Sequence, residues 1–291
     1  RQRNAVILAH NYQPGPIQDL ADFVGDSLAL SVQASKTKAD VIVFCGVLFM
    51  AETAAILSPE KTVLLPDITA GCPMADMITT QQLERLKQKH PDALVVCYVN
   101  SPADVKALSD YCCTSSNAVK LVNRLPKDRE IIFVPDQHLG QFICDRTGRS
   151  MILWPGYCPT HLRIRPEDIQ SARKEHPQAL VLAHPECGPE IRMMADHLLS
   201  TGGMIRFAGE SKAASFIIAT EEGIVHTLRK KYPEKTFVPI TEYAICPNMK
   251  KITLEKVLWA LADMQYPVTV PHSVRIKAKQ ALDRMLEVLP D

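Results

Sequence analysis

The dipeptide Cys-Pro occurs three times in this chain, as Cys72-Pro73, Cys158-Pro159 and Cys246-Pro247, at intervals of 86 and 88 residues. A shift of 174 residues aligns the first occurrence with the last, and no gap is needed over about seventy residues. The same shift places Leu8-Ala9-His10 on Leu182-Ala183-His184. Self-similarity at a fixed period indicates a duplicated structural unit.

The middle third of the chain joins the repeat through a second match, at a shift of 86 residues. His90–Val95 resembles His176–Val181 in this alignment. The sequence therefore predicts three copies of one unit, each ending in Cys-Pro. We expect these units at residues 1–75, 76–160 and 161–248, with residues 249–291 forming C-terminal helices that close the structure.

Apolar runs predict the elements of each unit. In the first unit, the strands are expected at Ala5–Ala9, Val41–Cys45 and Thr62–Leu65, and short apolar runs of this kind are typical of buried parallel strands. Helical spacing lies between them, including Ser27–Ser35 and Met50–Leu57. The fold class is therefore α/β, with three repeated αβα units around a pseudo-threefold axis and a central active-site cavity.

Two further stretches carry specific expectations. The second unit is expected to contain a long glycine-containing loop from Pro135 to Gly156 before its Cys-Pro. The tail reads as two amphipathic helices, Leu254–Met264 and Ser273–Leu289.

Composition excludes several classes of function. The chain has 33 basic and 32 acidic side chains, so nothing indicates a surface for nucleic acid or for anionic lipid. No apolar run reaches the roughly 20 residues that span a bilayer, and no signal peptide is visible. Nine cysteines, an odd number without close regular spacing, do not resemble a secreted disulfide framework, so we expect a reducing cytoplasmic location.

Polar side chains follow the predicted strands at positions that the repeat relates in threes. Ligands of α/β sheets bind beyond the carboxyl ends of the strands, so these residues are the candidates for a site. Three units around one axis would bring all of them to one cavity. The four sets are His10, Tyr98 and His184; Tyr12, Asn100 and Glu186; Ser27, Ser115 and Thr201 (the hydroxyl set); and Cys72, Cys158 and Cys246.

The three repeated thiols predict a metal site. Cubane iron–sulfur clusters usually take four thiolates, so three would leave one iron open to water or substrate, where it acts as a Lewis acid. Zinc with three thiolates and one water is the alternative. Free cysteine also packs as a small hydrophobe, which we expect for the other six cysteines.

The polar sets also have structural interpretations. Ser27, Ser115 and Thr201 would each stand at a helix start, where they could cap the helix or hold a carboxylate or phosphate. His10 and His184 could be hydrogen-bonded structural histidines. Glu186 could be an ordinary loop carboxylate, although the repeat places it beside the thiols, where acid–base chemistry requires such a group.

Motifs along the whole chain resemble those of the quinolinate synthase A family. Taken together and in this order, they are highly specific. They are His10-Asn11-Tyr12-Gln13, Gly25-Asp26-Ser27, Phe49-Met50-Ala51-Glu52, Ala70-Gly71-Cys72-Pro73, Tyr98-Val99-Asn100, Thr114-Ser115-Ser116-Asn117-Ala118, Gly156-Tyr157-Cys158, His184-Pro185-Glu186-Cys187 and Ala219-Thr220-Glu221.

The resemblance implies a reaction and a cofactor. The family condenses iminoaspartate with dihydroxyacetone phosphate to quinolinate, on the route to NAD, with a 4Fe–4S cluster whose ligands would here be Cys72, Cys158 and Cys246. An enzyme that supplies unstable iminoaspartate would be a functional partner. Some members carry a Cys-x-x-Cys-x-x-Cys run near the last ligand, whereas this chain has only Cys246 there.

The resemblance also implies roles for the repeated polar residues. Glu186 would move protons with His184 and Tyr98 beside it, and Tyr12 and His10 would orient the part derived from the triose. Asn100 and the hydroxyl set would hold carboxylates and phosphate. Two other classes stay open from the residues alone: a zinc hydrolase or deaminase, and a non-catalytic binding protein whose cysteines merely pack.

Overall fold

The computed structural model describes residues 3–288 and contains three four-stranded sheets, each flanked by helices. In the first sheet the spatial order of the strands is second, first, third, fourth, and all neighbours are parallel. The elements of this unit are β1 (Ala5–His10), α1 (Gly15–Leu20), β2 (Phe23–Gly25), α2 (Ser27–Lys36), β3 (Val41–Cys45), α3 (Leu48–Leu57) and β4 (Thr62–Leu64), followed by a 3-10 turn (Ala75–Met77) and α4 (Thr80–Lys89).

The second sheet repeats this order. Its strands are again parallel to their neighbours. Its elements are β5 (Leu94–Tyr98), α5 (Ala103–Ala107), β6 (Tyr111–Cys113), α6 (Ala118–Arg124), β7 (Ile131–Val134), α7 (Gln137–Thr147) and β8 (Ile152–Leu153), followed by α8 (Pro159–Leu162) and α9 (Pro166–Glu175).

The third sheet has the same order once more, so the predicted fold class is confirmed. The bounds of the three units stay predictions. Its elements are β9 (Leu180–Ala183), α10 (Pro189–Met194), β10 (His197–Leu198), α11 (Thr201–Glu210), β11 (Ser215–Ala219), α12 (Ile224–Lys231) and β12 (Thr236–Pro239), followed by a 3-10 turn (Met249–Lys251), α13 (Leu254–Asp263) and α14 (His272–Leu286).

One aspartate contact recurs in all three sheets and shows the repeat at atomic detail. In each sheet, the aspartate directly before the second strand accepts a hydrogen bond of 2.7–2.8 Å from a backbone N–H of the first strand. This bond ties the sheet edge to its centre. The pairs are Asp22 with Ile7, Asp110 with Val95, and Asp196 with Val181.

The core follows from strands that are apolar on both faces. All five residues of β3 are buried, as expected for a parallel strand covered by helices on both sides. One hydrophobic cluster joins the first two units with α13 and α14, while the third unit has two clusters of its own. The helix α14 packs on α5, β6 and α3. The C-terminal helices therefore fasten the first two units together.

The predicted loop from Pro135 to Gly156 is wrong, because α7 and β8 occupy most of it. Asp136 caps α7 by accepting hydrogen bonds of 2.8 Å from the N–H groups of His138 and Leu139. Gly148 ends the helix with a left-handed backbone, φ 68°, which glycine adopts without strain. An aspartate start and a glycine end were both visible in the sequence, and the internal Gly140 obscured the helix between them.

The short second strands and α9 were also missed. The strands β2, β6 and β10 have two or three residues each, too short for a periodic signal. The third unit was expected to have a helix that continues to about Leu199. This helix is α10, which ends at Met194 because the short strand β10 follows it. In the tail, α14 has 15 residues, and no helix within residues 3–288 is long and apolar enough to cross a membrane. Leu289, the predicted last residue of that helix, lies outside the described residues.

Candidate active site

A central cavity of about 670 Å³ lies where the carboxyl ends of the three sheets meet. His10 and Tyr98 are the last residues of β1 and β5, and His184 directly follows β9, so the repeat aims all three into it. The structure brings the whole predicted set to this cavity. Its lining includes His10, Tyr12, Ser27, Cys72, Tyr98, Asn100, Ser115, Cys158, His184, Glu186, Thr201 and Cys246.

The members of the hydroxyl set are not helix caps. Asp26 caps α2 by accepting from the N–H of Ala29 (2.9 Å), and Ser200 caps α11 by accepting from the N–H of Gly203 (3.1 Å). Ser27 and Thr201 are therefore the first helical residues, one place beyond each cap. The expectation that Ser115 starts a helix is wrong, since it lies in a turn three residues ahead of α6.

Glu186 is the centre of a continuous chain of polar contacts across the cavity wall. It accepts a hydrogen bond from the hydroxyl of Tyr98 at Oε1, and its Oε2 lies 2.9 Å from Nδ1 of His161. Nε2 of His161 is 2.8 Å from Oγ1 of Thr220, which is 2.6 Å from the hydroxyl of Tyr12. The chain Tyr98–Glu186–His161–Thr220–Tyr12 thus joins two phenols from different units.

The charge states of Glu186, Tyr12 and Tyr98 follow from burial and from near neighbours. Burial alone would raise the pKa of Glu186, yet the electrostatic interaction with His161 and the hydrogen bond from Tyr98 lower it well below its ordinary value. Burial, followed by the charge of Glu186, raises the pKa values of Tyr12 and Tyr98. At neutral pH a buried carboxylate therefore lies among protonated phenols.

The two repeated histidines are neutral. Burial lowers the pKa of His10 to about 4 and that of His184 to about 3. In each, Nδ1 accepts the backbone N–H two residues further on, at 3.2 Å from Tyr12 and 3.3 Å from Glu186. The ring proton is therefore on Nε2, and that of His184 faces Oγ of Ser115 at 3.2 Å.

The three repeated thiols share one local geometry. Each cysteine precedes a proline and a short 3-10 or helical turn, and all three thiols are free and partly exposed. Burial raises their pKa values, to about 12 for Cys72, while a backbone N–H three residues further on lowers each of them. The donors of these N–H groups are Ala75, His161 and Met249.

The three repeated thiols do not fit a single zinc ion. Within residues 3–288, the one set of three potential ligand atoms that lie within 4.8 Å of one another is Cys158, His161 and Glu186. Tetrahedral zinc with bonds of about 2.3 Å would need its sulfurs about 4 Å apart. The wider arrangement of the three thiols, each with an N–H donor near its sulfur, suits an iron–sulfur cluster.

A buried ion pair fixes the segment that carries Cys246. Glu221 accepts from the N–H of Cys246 (3.1 Å) and from Nζ of Lys250 (2.8 Å). Lys250 also donates to the backbone oxygen of Tyr12 (2.9 Å). Glu221 therefore links the third thiol to the loop after β1, although burial raises the pKa of its carboxyl.

Sequence reasoning missed several residues of the cavity wall. His161, Thr220, Glu221 and Asp26 were given no role, because their repeat equivalents are chemically different and a search for matching triplets passes over them. The available signals were local: His161 stands three residues after Cys158, and Thr220-Glu221 directly follows β11.

The family model described as "Quinolinate synthetase A protein" matches residues 1–287. The chain belongs to the quinolinate synthetase A family. It is an enzyme of that family, and the resemblance seen in the motifs is confirmed.

Similar proteins cover nearly the whole chain. It is 56% identical over 289 residues to the quinolinate synthase of Dehalococcoides mccartyi strain CBDB1, covering 99% of this chain and 95% of the relative. It is 58% identical over 287 residues to quinolinate synthase 2 of Methanosarcina acetivorans, covering 99% and 92%. Identity to the quinolinate synthase of Geobacter metallireducens is 54% over 291 residues, covering 100% and 95%. The chain therefore spans nearly the full length of these relatives.

Proposed function

We propose that this chain is a quinolinate synthase, which condenses iminoaspartate with dihydroxyacetone phosphate and releases phosphate and water, for the synthesis of NAD. The observation that carries the proposal is the meeting of three thiols, an acid–base chain and three hydroxyls in one cavity of a member of this family. The relatives that are 52–58% identical to the chain are called quinolinate synthase.

The cofactor in this proposal is a 4Fe–4S cluster held by Cys72, Cys158 and Cys246. When bound, it supplies an open iron that acts as a Lewis acid toward a substrate oxygen. The thiols are neutral before loading because burial raises their pKa values, so each must lose its proton as it binds iron. The N–H groups of Ala75, His161 and Met249 favour the thiolate form that results.

Glu186 is the general base of the proposed reaction. Its carboxylate is charged and buried, and it can take a proton from a substrate carbon or nitrogen during condensation and ring closure. Tyr98 and Tyr12 are protonated and can donate to oxygen that leaves as water. His161 and Thr220 connect the two ends, so a proton given up by Tyr12 can be replaced along the chain.

The remaining residues bind and orient substrate. Oδ1 of Asn100 is buried and has no hydrogen-bond partner among the described residues, so a substrate N–H or O–H would satisfy it. The hydroxyl set would hold carboxylate and phosphate oxygens, and the hydroxyl of Tyr12 and the neutral Nε2–H group of His10 would donate to oxygens of the part derived from the triose. Because free imines hydrolyse in water, we expect a functional link to an enzyme that produces iminoaspartate.

Anaerobic purification followed by an activity assay tests the proposal. We expect a brown protein with iron and sulfide that forms quinolinate from the two substrates. Replacing Cys72, Cys158 or Cys246 by Ala should abolish both cluster and activity, because each replacement removes an iron ligand.

The matched control is Cys97→Ala, since Cys97 lies buried in β5 and not in the cavity lining. Its iron content should stay near that of the wild type. Full cluster content in any of the three ligand variants would contradict the assignment. Stoichiometric zinc in a colourless protein would favour a hydrolase or deaminase, and a metal-free protein would favour a binding role.

A further inference from the structure

Three side chains from three different sheets meet at one serine hydroxyl. Oγ of Ser116 lies 2.6 Å from Oδ2 of Asp26 and 2.8 Å from Oγ of Ser200. Asp26 directly follows β2. Two residues separate Ser116 from the end of β6, and one residue separates Ser200 from the end of β10. These two contacts therefore connect the edges of all three sheets at the central cavity.

The direction of both hydrogen bonds is determined by the other contacts. Asp26 is an acceptor only, and its second oxygen already accepts from Ala29, so Ser116 donates to it. The single proton of Ser116 is then used, so Ser200 donates to Ser116. Ser200 at the same time accepts from Gly203. Every polar atom of the three side chains has a defined partner.

Each of these three residues is the sequence neighbour of one member of the hydroxyl set. Asp26 precedes Ser27, Ser116 follows Ser115, and Ser200 precedes Thr201. Resting on the proposed function, we propose that Asp26, Ser116 and Ser200 form an inter-unit latch that positions the hydroxyl set for the anionic groups of the substrates. The members of the latch are positioning residues, which act on the substrate through their neighbours.

Two details support a built contact. In the second unit, the residue at the repeat position of Asp26 and Ser200 is Thr114 and not Ser116. The hydroxyl of Thr114 donates to Asn117, so Ser116 completes the latch instead. Gly202 packs against Asp26 so closely that a Cβ there would lie 2.5 Å from Oδ2. A larger residue at 202 would displace the carboxylate, so the glycine keeps room for the latch.

The test is the affinity of anaerobically purified holoenzyme for quinolinate, measured beside iron content and melting temperature. Ser116→Ala breaks both links and should weaken quinolinate binding roughly tenfold, because the hydroxyl set would lose part of its hydrogen bonding to the anionic ligand, about 1.4 kcal/mol. Iron content should be unchanged. The control Ser109→Ala removes a hydroxyl of the same unit that donates to the backbone oxygen of Val105 and lies outside the cavity, and it should leave affinity unchanged.

Ser200→Ala separates positioning from direct contact, because Ser200 is not part of the cavity lining. Ser200→Ala should weaken quinolinate binding about as much as Ser116→Ala. The variant with both replacements should bind quinolinate no more weakly than either single variant. Thr79→Ala removes a comparable cap from α4 and should lower the melting temperature without changing affinity.

Asp26→Asn should restore what Asp26→Ala loses. Asparagine can still cap α2, and its amide can donate to Ser116 if the two hydroxyls reverse direction. We therefore expect affinity within about threefold of the wild type for Asn and roughly tenfold weaker for Ala. Variants that leave affinity unchanged, or losses at Ser116 and Ser200 that multiply, would overturn the latch alone. A wild-type protein that does not bind quinolinate would overturn the proposed function and the latch with it.

Discussion

Glu186 is a charged carboxylate with almost no access to solvent, and two neighbours make this state favourable. Desolvation opposes the charge, whereas His161 and Tyr98 favour it more strongly. A carboxylate buried in this way has a high interaction energy with any proton donor that enters the cavity. At neutral pH it is in the deprotonated form that a general base requires.

Glu186→Gln should keep the cluster and lose most of the turnover. The amide has nearly the same shape but cannot accept a proton at neutral pH, and loss of a general base typically costs about 10²–10⁴ in rate. Steady-state rates of quinolinate formation and iron content measure the two effects. The control Glu190→Gln changes an exposed carboxylate at the start of α10 and should leave both unchanged. Normal turnover with normal iron content would remove Glu186 from the mechanism.

The hydroxyl set should affect affinity more than stability. Since Asp26 and Ser200 provide the caps, Ser27→Ala should change the melting temperature little. Thr201→Ala should lower it, because the buried Nδ2 of Asn11 donates to Oγ1 of Thr201 (3.2 Å) and would lose its acceptor. A hydrogen bond to a charged group contributes roughly 1.5–3 kcal/mol, so each loss should weaken quinolinate binding about ten- to a hundredfold, and Ser115→Ala should do the same. Thr253→Ala, which uncaps α13, is the contrasting variant that should lower only the melting temperature. A role of the hydroxyl set in substrate binding is excluded if all three replacements leave the affinity for quinolinate unchanged.

Repetition explains which site residues were predictable. His10, Tyr98 and His184 occupy one repeat position and could be found by alignment of the chain with itself. His161 and Thr220 have no polar equivalents, so only the three-dimensional contacts show that they complete the chain to Tyr12. Periodicity identifies what the units share, whereas the acid–base chain depends on how they differ.

At the scale of elements, the C-terminal helix holds the turn that carries Ser115. Nδ2 of Asn117 donates to the backbone oxygens of Met285 (3.0 Å), in the last turn of α14, and of Val288 (2.7 Å), just beyond its end. Its Oδ1 accepts from the N–H of Thr114 at 2.8 Å. One buried amide therefore couples the end of α14 to the rim of the cavity.

Asn117→Ala should destabilise the protein and also weaken binding. Two buried carbonyls lose their donor, which we expect to cost about 2 kcal/mol of unfolding free energy. Denaturant melts measure this loss, and quinolinate affinity should fall because the turn with Ser115 loses its anchor. Asn123→Ala, on the exposed face of α6, should change neither quantity. Stability lost without any change in affinity would show that the turn keeps its shape without α14.

Element prediction succeeded where one clear period extended over several residues. The strands β1 and β3 and the helices α2, α3 and α13 lie within about two residues of the predictions. The helix α7 was missed because Gly140 and Gly148 suggested a loop, although tertiary packing tolerates Gly140 where Phe133 and Leu153 leave no room for a Cβ. Packing against β7 and β8 therefore overrides the low helix propensity of glycine.

At the scale of the whole molecule, the central cavity places buried titratable groups where three units meet. His10 and His184 come from the first and third sheets and are both neutral and hydrogen-bonded through Nδ1. Protonation of either ring would break its bond to a backbone N–H. The assembly of the three units is therefore linked to pH through these histidines.

Stability should fall as the pH is lowered from about 6.5 toward 4. The unfolded histidines titrate near pH 6.5, whereas the folded pKa is about 4 for His10 and about 3 for His184. Between these values the unfolded state binds more protons, so the free energy of unfolding rises with pH, by up to about 1 kcal/mol per pH unit for each ring. The lowered pKa of Glu186 acts in the same direction, since its contribution is present above the unfolded carboxyl pKa and is lost on acidification.

The measurement is the denaturant midpoint of anaerobic protein between pH 7.5 and 5, for the wild type and two variants. His184→Asn can still accept the N–H of Glu186 but cannot titrate, so its midpoint should depend less on pH than that of the wild type. His272→Asn replaces an exposed ring at the start of α14 and should retain the wild-type slope. Comparison at equal pH cancels any effect of metal loss that the three proteins share. Equal slopes for the wild type and His184→Asn would mean that the buried histidine does not couple the assembly of the units to pH.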